Sequence, residues 1–390
     1  MSWSLLKDKA QNAFDIGPRP GRITSVQGAR GIAIFFVFLV HLLELLCSKA
    51  PAGSINAGAL DWIYPLGNLS GAFFVIITGC FLYRSLLEKP VAYGAFLRRR
   101  FTRIYSVFLV VLGLYLILSF IFPGESKLPQ SPMRASIYIL ENLLLLPGVL
   151  PIRPIITVSW TLSYVALYCI LLPPMVESTG MRGWRPSRRV IFFLVSALVW
   201  AAGARLTGAY VPRLALLPVG ALVQEALAWR KANPARMVWL ESACLGLAAA
   251  ALGLKYWFVH VDHVSILSVG AGLHQLSLTA MCLFCTSFAM FSDRSRFTGV
   301  LCMAPLRYLG NMSFSYYLTH SLTIKFLTLF TTVVVFAAHS TVGFWLMVPA
   351  TFAVSLIPAV VLFLAIERRA SNRIRVVPAQ AVPRPMSVAA

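Results

Sequence analysis

Long apolar stretches alternate along this chain with short polar ones in which Lys and Arg dominate. Crossing a hydrocarbon core about 30 Å thick takes about 20 mostly apolar residues in a helix. Ten stretches read that way: 31–47, 62–83, 104–122, 157–175, 190–204, 214–228, 237–254, 265–291, 312–337 and 342–366, the fifth and sixth being short. Segment 136–150, SIYILENLLLLPGVL, is also apolar, but it ends in Pro and Gly and runs into Pro151 and Pro154. It reads as a non-spanning helix lying at the outer face. The expected fold is therefore all-α, a polytopic membrane bundle of about ten transmembrane helices.

Composition sharpens this picture. Hydrophobic residues make up 58% of the chain and charged ones 12%, where a soluble domain carries about 25% charged residues. A soluble globule is excluded, as are the disordered, collagen-like and coiled-coil classes. The net charge of +21 would suit a nucleic-acid binder, but such a protein gathers its charge on one soluble face, and here it is divided among the gaps between apolar runs. No nucleic-acid partner is expected, only membrane lipid and a substrate. With the N-terminus in the cytoplasm, 26 of the 34 Lys and Arg fall on that side. Seven, Lys255 among them, fall opposite, and Lys325 lies inside the ninth span. This asymmetry predicts that both termini are cytoplasmic in a multi-pass protein of the plasma membrane.

Residues 1–25 then form a cytoplasmic segment, 26–366 the transmembrane domain, and 367–390 a basic, proline-containing tail expected to be disordered near lipid headgroups. The first 30 residues hold no apolar core of signal-peptide length, so the first span reads as the membrane signal. Seven cysteines lie in or beside apolar runs, where a thiol behaves as a small hydrophobe. Cys282 and Cys285 make a C-x-x-C inside an apolar helix, away from any helix start that would favour the thiolate, so neither redox nor metal chemistry is expected of them.

Ionisable side chains at membrane depth are costly, and each is a candidate for function. They are His41, Glu44, Glu225, Glu241, His274, His320 and Lys325. Arg30 and His41 stand eleven residues apart, which on an α-helix is three turns plus about 20°, so both lie on one face about 16 Å apart. Arg30 can hold an anion at the membrane surface while His41 handles a proton deeper in, with Glu44 one turn on to orient the imidazole. The plain alternative is a positive-inside anchor and a hydrogen-bonded core histidine. Arg98-Arg99-Arg100-Phe101-Thr102-Arg103 opens the third span, and Arg100 and Arg103 share a helix face suited to bidentate contact with phosphate. His260-Val261-Asp262-His263 reads as a solvated loop rather than a zinc site, Tyr256 and Trp257 as an interfacial aromatic belt, and Lys325 as a snorkelling or cavity-lining residue.

These elements occur in a fixed order: Arg30 and His41; Phe73-Phe74-Val75-Ile76-Ile77-Thr78-Gly79; Arg99-Arg100-Phe101-Thr102-Arg103-Ile104-Tyr105; Ser159-Trp160-Thr161-Leu162-Ser163-Tyr164; and Leu309-Gly310-Asn311-Met312-Ser313-Phe314-Ser315-Tyr316-Tyr317-Leu318-Thr319-His320. The combination resembles the acyltransferase 3 family of integral membrane acyltransferases over residues 26–366. The resemblance implies transfer of an acyl group, usually acetyl, from cytoplasmic acyl-CoA to a hydroxyl, often on a cell-surface glycan. It implies further that Arg30 and His41 are the family's R-x10-H pair with a catalytic histidine, that Arg100 and Arg103 are its acyl-donor R-x-x-R motif, and that His320 is the histidine of its late motif.

Three positions depart from that pattern. Val165 stands where many relatives place a glutamate, Thr78 where a serine usually precedes Gly79, and Ser106 where a proline often follows the R-I-Y run. The missing acid implies that Glu44 or another buried acid replaces it, that the acceptor differs, or that activity is reduced.

Transfer from thioester to ester needs a base at the acceptor hydroxyl and donors for the tetrahedral oxyanion. No G-x-S-x-G elbow is present to supply a serine acyl-enzyme. His41 reads as general base, an acyl-histidine being the alternative, and Ser159, Trp160 and Tyr317 as oxyanion donors. Other readings of the same groups are a transporter or permease using buried His and Glu, a membrane O-acyltransferase of the other, larger fold, and acylation of a small hydroxylated natural product. Absence of an inverted repeat and the one-sided arginine cluster favour the first reading; oligomeric state is not legible.

Overall fold

The computed structural model describes residues 11, 13, 14, 23–207, 212–233, 237–260, 269–291 and 296–371. Fourteen helices succeed one another along the described residues: α1 Thr24–Cys47, α2 Ile55–Glu88, α3 Tyr93–Ile121, α4 Pro132–Leu143, α5 Trp160–Ser178, α6 Pro186–Thr207, α7 Leu216–Ala232, α8 Met237–His260, α9 Val269–Met290, α10 Arg296–Leu301, α11 Ala304–Asn311, α12 Ser313–Thr328, α13 Thr331–His339 and α14 Thr341–Leu362. Helix is what apolar chain must form in lipid, because only there does each segment satisfy its own backbone polar groups. Serine side chains help at two starts: Ser54 Oγ accepts from Ala57 N at 3.2 Å, and Ser340 Oγ from Gly343 N at 3.1 Å.

Six helices among the described residues are long and apolar enough to cross a membrane, or seven if α12 and α13, bent by 90° at Leu329–Phe330, make one broken span. The protein is a multi-pass membrane protein. The expected number of about ten is not reached by this measure. Helices do occupy the remaining apolar stretches as α7, α8 and α9, with α7 only 17 residues long.

Two apolar clusters form the interior. One gathers around α2, α5 and α7, with Ile76, Tyr83, Leu172 and Leu217; the other gathers around α1, α3 and α12, with Phe38, Leu42, Phe108 and Tyr316. Backbones approach closely where glycines allow it, as they do between membrane helices generally. A Cβ on Gly310 of α11 would sit 1.7 Å from the Gln27 carbonyl oxygen of α1. One on Gly220 of α7 would sit 2.3 Å from that of Ile76, next to the Phe73–Gly79 motif of α2. The start of α1, which carries Arg30, is thus seated directly on α11 and the beginning of α12.

Four features differ from the sequence expectation. Segment 136–150 does not simply lie at a face. After α4 the chain turns at Leu145, whose φ is +55°, and residues Leu145, Ile155, Ile156 and Val158 are buried in the bundle. Tyr105 Oη, well inside α3, donates to Leu143 O at 2.8 Å, and Asn142 Oδ1 accepts from Ile155 N, so polar groups draw the loop inward. Lys255, expected in a loop on the far face, is buried near the end of α8 and donates to Thr279 Oγ1 of α9 at 2.8 Å. The reason is that α8 runs on to His260 and carries the ammonium inward to a hydroxyl partner. The final helix continues past residue 366 through a π-turn, Phe363–Glu367, to Ser371. Within the 1–25 segment, Phe14 stacks on Phe363 at 6.0 Å and its carbonyl accepts from Asn311 Nδ2. The remaining calls on residues 261–263 and 372–390, and on the side chain of His274, lie outside the described residues.

Candidate active site

At the start of α1 and α12, Arg30 Nη2 donates to Ser313 Oγ at 2.7 Å and Nη1 to Gln27 Oε1 at 3.3 Å. Beside them the π-turn places Glu367, 2% exposed, so that its Oε2 accepts from Ser315 Oγ at 2.6 Å and from Ser315 N at 3.1 Å. Both Arg30 and Arg103 act electrostatically on this carboxylate. π-turns inside α-helices often mark functional positions, because the extra residue re-aims a side chain. Arg100 does not point to the same place, although the sequence spacing predicts that it shares a face with Arg103: its guanidinium stands 5.4 Å from the Phe96 ring centroid and acts on Cys169 of α5. Arg103 therefore faces α14 and Arg100 faces α5, the two flanking one cationic end of the bundle.

Farther along α1, His41 Nδ1 meets Glu44 Oε2 at 2.9 Å. A carboxylate only accepts, so Nδ1 carries the hydrogen and Nε2 presents a lone pair. His41 meets a second imidazole: its ring lies 5.5 Å from that of His320. His320 is fully buried, and its Nδ1–H donates to the Tyr316 carbonyl one turn back at 3.0 Å, which leaves its Nε2 lone pair 3.4 Å from Ser321 Oγ. Two imidazoles from sequence-distant helices thus hold the same tautomer at one place.

The remaining motifs close around this pair. Tyr317, whose ring lies 6.1 Å from that of His320, accepts a hydrogen bond from Thr161 Oγ1 at 3.0 Å and lies 5.8 Å from Phe74. Ser159 is buried at the start of α5, and Trp160 meets Tyr164 edge-on at 5.5 Å. Gly148, at φ +92°, lets the inserted loop reach Trp160, where a Cβ would come within 2.8 Å of the Trp160 Cβ. The structure therefore brings together His41, Glu44, His320, Tyr317 and the start of α5, with Arg30, Arg100 and Arg103 at the end of the bundle where α1 and α3 begin.

Other candidates lie elsewhere. Glu225 is held by Arg189 and by Tyr83, and Glu241 lies 3.8 Å from Arg230. His260 stacks on Trp62 at 4.5 Å. All seven cysteines are free. Among the described residues, no group of three His, Cys, Asp or Glu is placed to hold a metal ion.

The site thus consists of a histidine pair and a cationic end within a multi-pass membrane helix bundle. A family model described as an acyltransferase domain matches residues 23–364. The chain therefore belongs to the acyltransferase 3 family and carries a membrane-type acyltransferase domain. No curated protein and no solved structure matches it.

Glu367 was missed in the sequence, where it reads as the first residue of a basic tail, Glu367-Arg368-Arg369. Its burial beside two arginines is the signal. Glu367→Ala would orphan the buried Ser315 N–H and Oγ and remove the carboxylate near Arg30 and Arg103, so stability in detergent is expected to fall by about 1–3 kcal/mol. Thermal unfolding of the purified variant measures this, and an unchanged midpoint would refute the assigned role.

Proposed function

We propose that the protein is an O-acyltransferase that moves an acyl group, acetyl in the simplest case, from cytoplasmic acyl-CoA to a hydroxyl of a cell-surface or exported glycan in the plasma membrane. The observation that carries this reading is one helix, α1, whose Arg30 stands at the cationic end while its His41, paired to Glu44, presents Nε2 to the interior beside His320. The donor's phosphates bind at Arg30, Arg100 and Arg103 through charge-assisted hydrogen bonds, and its thioester arm runs toward His41 about 16 Å farther along the helix.

His41 Nε2 takes the proton of the acceptor hydroxyl as the oxygen attacks the thioester carbon. The C–S bond breaks from the tetrahedral intermediate, and the imidazolium returns the proton to the departing thiolate. Glu44 stabilises the imidazolium while it exists, as the carboxylate of a Ser-His-Asp triad does. The hydroxyls of Ser159 and Tyr317 and the Trp160 indole supply donors for the oxyanion in this reading. Glu44, bonded to the base, is the acid that supports catalysis in a chain with Val165 in the motif that follows Trp160.

Binding of radiolabelled acetyl-CoA to purified protein tests the donor site. Arg30→Gln and Arg103→Gln are each expected to weaken it at least about tenfold, the worth of one charge-assisted bond. Unchanged affinity in both variants would remove the arginines from the donor site and leave room for a transporter that uses the same histidines.

A further inference from the structure

At the far end of the bundle from Arg30, a cavity of ≈ 30 Å³ lies between α3 and α12, lined by Tyr115, Ser119, Phe122, Glu125, Lys325 and Phe326 together with three leucines. Its inner wall leads to the histidines. Tyr115 is buried and its hydroxyl lies near Ser321, whose Oγ stands 3.4 Å from His320 Nε2. His320 in turn faces His41.

The rim is cationic. Lys325 Nζ donates to the Glu125 carbonyl. Lys127 Nζ donates to the carbonyls of Pro154 and Ile155 and to Thr157 Oγ1 at 3.0–3.1 Å, so its three hydrogens are used and it contributes charge alone. Burial, with Arg153 and Lys325 nearby, presses the Lys127 ammonium down to about 8. Glu125 is the acid in the lining, and among the described residues it makes no ion pair with these cations. Like charges held together around a partly buried ammonium are costly unless an anion joins them.

The flank is apolar and open. Phe122, Phe326 and Leu329 are 36%, 43% and 44% exposed, and just beyond them the α12–α13 bend leaves Phe330 exposed. A cavity this small holds little more than one water-sized group, so any longer occupant must lie along that flank.

We propose, building on the acyl-transfer reading above, that this slot is the acceptor subsite and takes a phosphate-bearing lipid that itself carries the hydroxyl to be acylated. Its phosphate meets Lys325 and Arg153 in the field of Lys127, its chain lies on Phe122, Phe326 and Leu329, and its hydroxyl approaches His41 past Tyr115 and Ser321. A neutral polar acceptor would leave the cations uncompensated, and a free polar anion would have no use for the apolar flank.

The test uses full-length protein in a neutral maltoside detergent, with binding of dodecyl phosphate, dodecyl glucoside and inorganic phosphate measured beside binding of acetyl-CoA. Dodecyl phosphate is expected to bind at least about tenfold more tightly than either control, and Lys325→Gln with Arg153→Gln to lose about that factor while acetyl-CoA binding is retained. Equal binding of dodecyl glucoside would overturn the phosphate requirement, and equal binding of inorganic phosphate would overturn the lipid. Dodecyl phosphate binding unchanged in the double variant would overturn the location. If wild-type protein bound dodecyl phosphate as expected but not acetyl-CoA, the acyl-transfer reading would fail instead, leaving a lipid-phosphate site without it.

Discussion

His41→Ala is expected to lower acyl transfer by about 10²- to 10⁴-fold, the usual contribution of a positioned general base, while the bundle stays folded. The side chain is 25% exposed and it meets Glu44 and the His320 ring, so its removal orphans no fully buried polar group. Glu44→Gln separates orientation from charge. A Gln side chain can donate to Nδ1 as well as accept from it, and the flipped tautomer puts the hydrogen on Nε2, where the acceptor's proton must go. Its loss is therefore expected to approach that of His41→Ala, whereas a Glu44 that served only as a surface anion, at 46% exposure, would cost little. Initial rates with acetyl-CoA and a hydroxylated acceptor, compared at matched thermal stability, separate the outcomes. Retained rates in His41→Ala would remove the imidazole from the chemistry.

The second large effect is on stability. Glu225 of α7, its side chain 3% exposed, accepts from Arg189 Nε of α6 at 2.7 Å and Nη2 at 3.1 Å and from Tyr83 Oη of α2 at 2.6 Å. Three helices meet at one carboxylate. Glu225→Ala would leave a guanidinium and a phenol without their acceptor, and breaking such a buried pair costs about 3–5 kcal/mol. Glu225→Leu paired with Arg189→Met should recover much of that loss, since a packed apolar pair of similar volume avoids desolvation. Thermal unfolding in detergent reports both. A stable Glu225→Ala protein would show that the triad carries no structural weight and would return Glu225 to the candidates for function.

The parts of the site that could be read in advance follow from local geometry. Arg30 and His41 share a face because eleven residues is close to a whole number of turns, and Glu44 reaches His41 because i and i+3 are neighbours. What could not be read depends on contacts between distant segments. His320 meets His41, and Thr161 meets Tyr317, across more than a hundred residues each. Glu367 closes an apolar run, so its burial is visible only once the π-turn aims it at Ser315. The inward turn after α4 was hidden for a related reason: SIYILENLLLLPGVL is apolar enough for a surface helix, and bonds such as those from Tyr105 to Leu143 and from Ile155 N to Asn142 hold it in the bundle. Apolar length alone also hides how the stretches are built: α7 has only 17 residues, and the ninth stretch is two helices, α12 and α13, bent by 90°.

A structure of the protein bound to a non-hydrolysable thioether analogue of acetyl-CoA tests the central claim most directly. The account predicts phosphate oxygens in contact with Arg30, Arg100 or Arg103 and the acyl carbon beside His41, close enough for an acceptor oxygen bonded to Nε2 to stand about 3–3.5 Å from it. An analogue whose phosphates sit at the Lys325 end, or whose acyl group stops short of the two histidines, would contradict it.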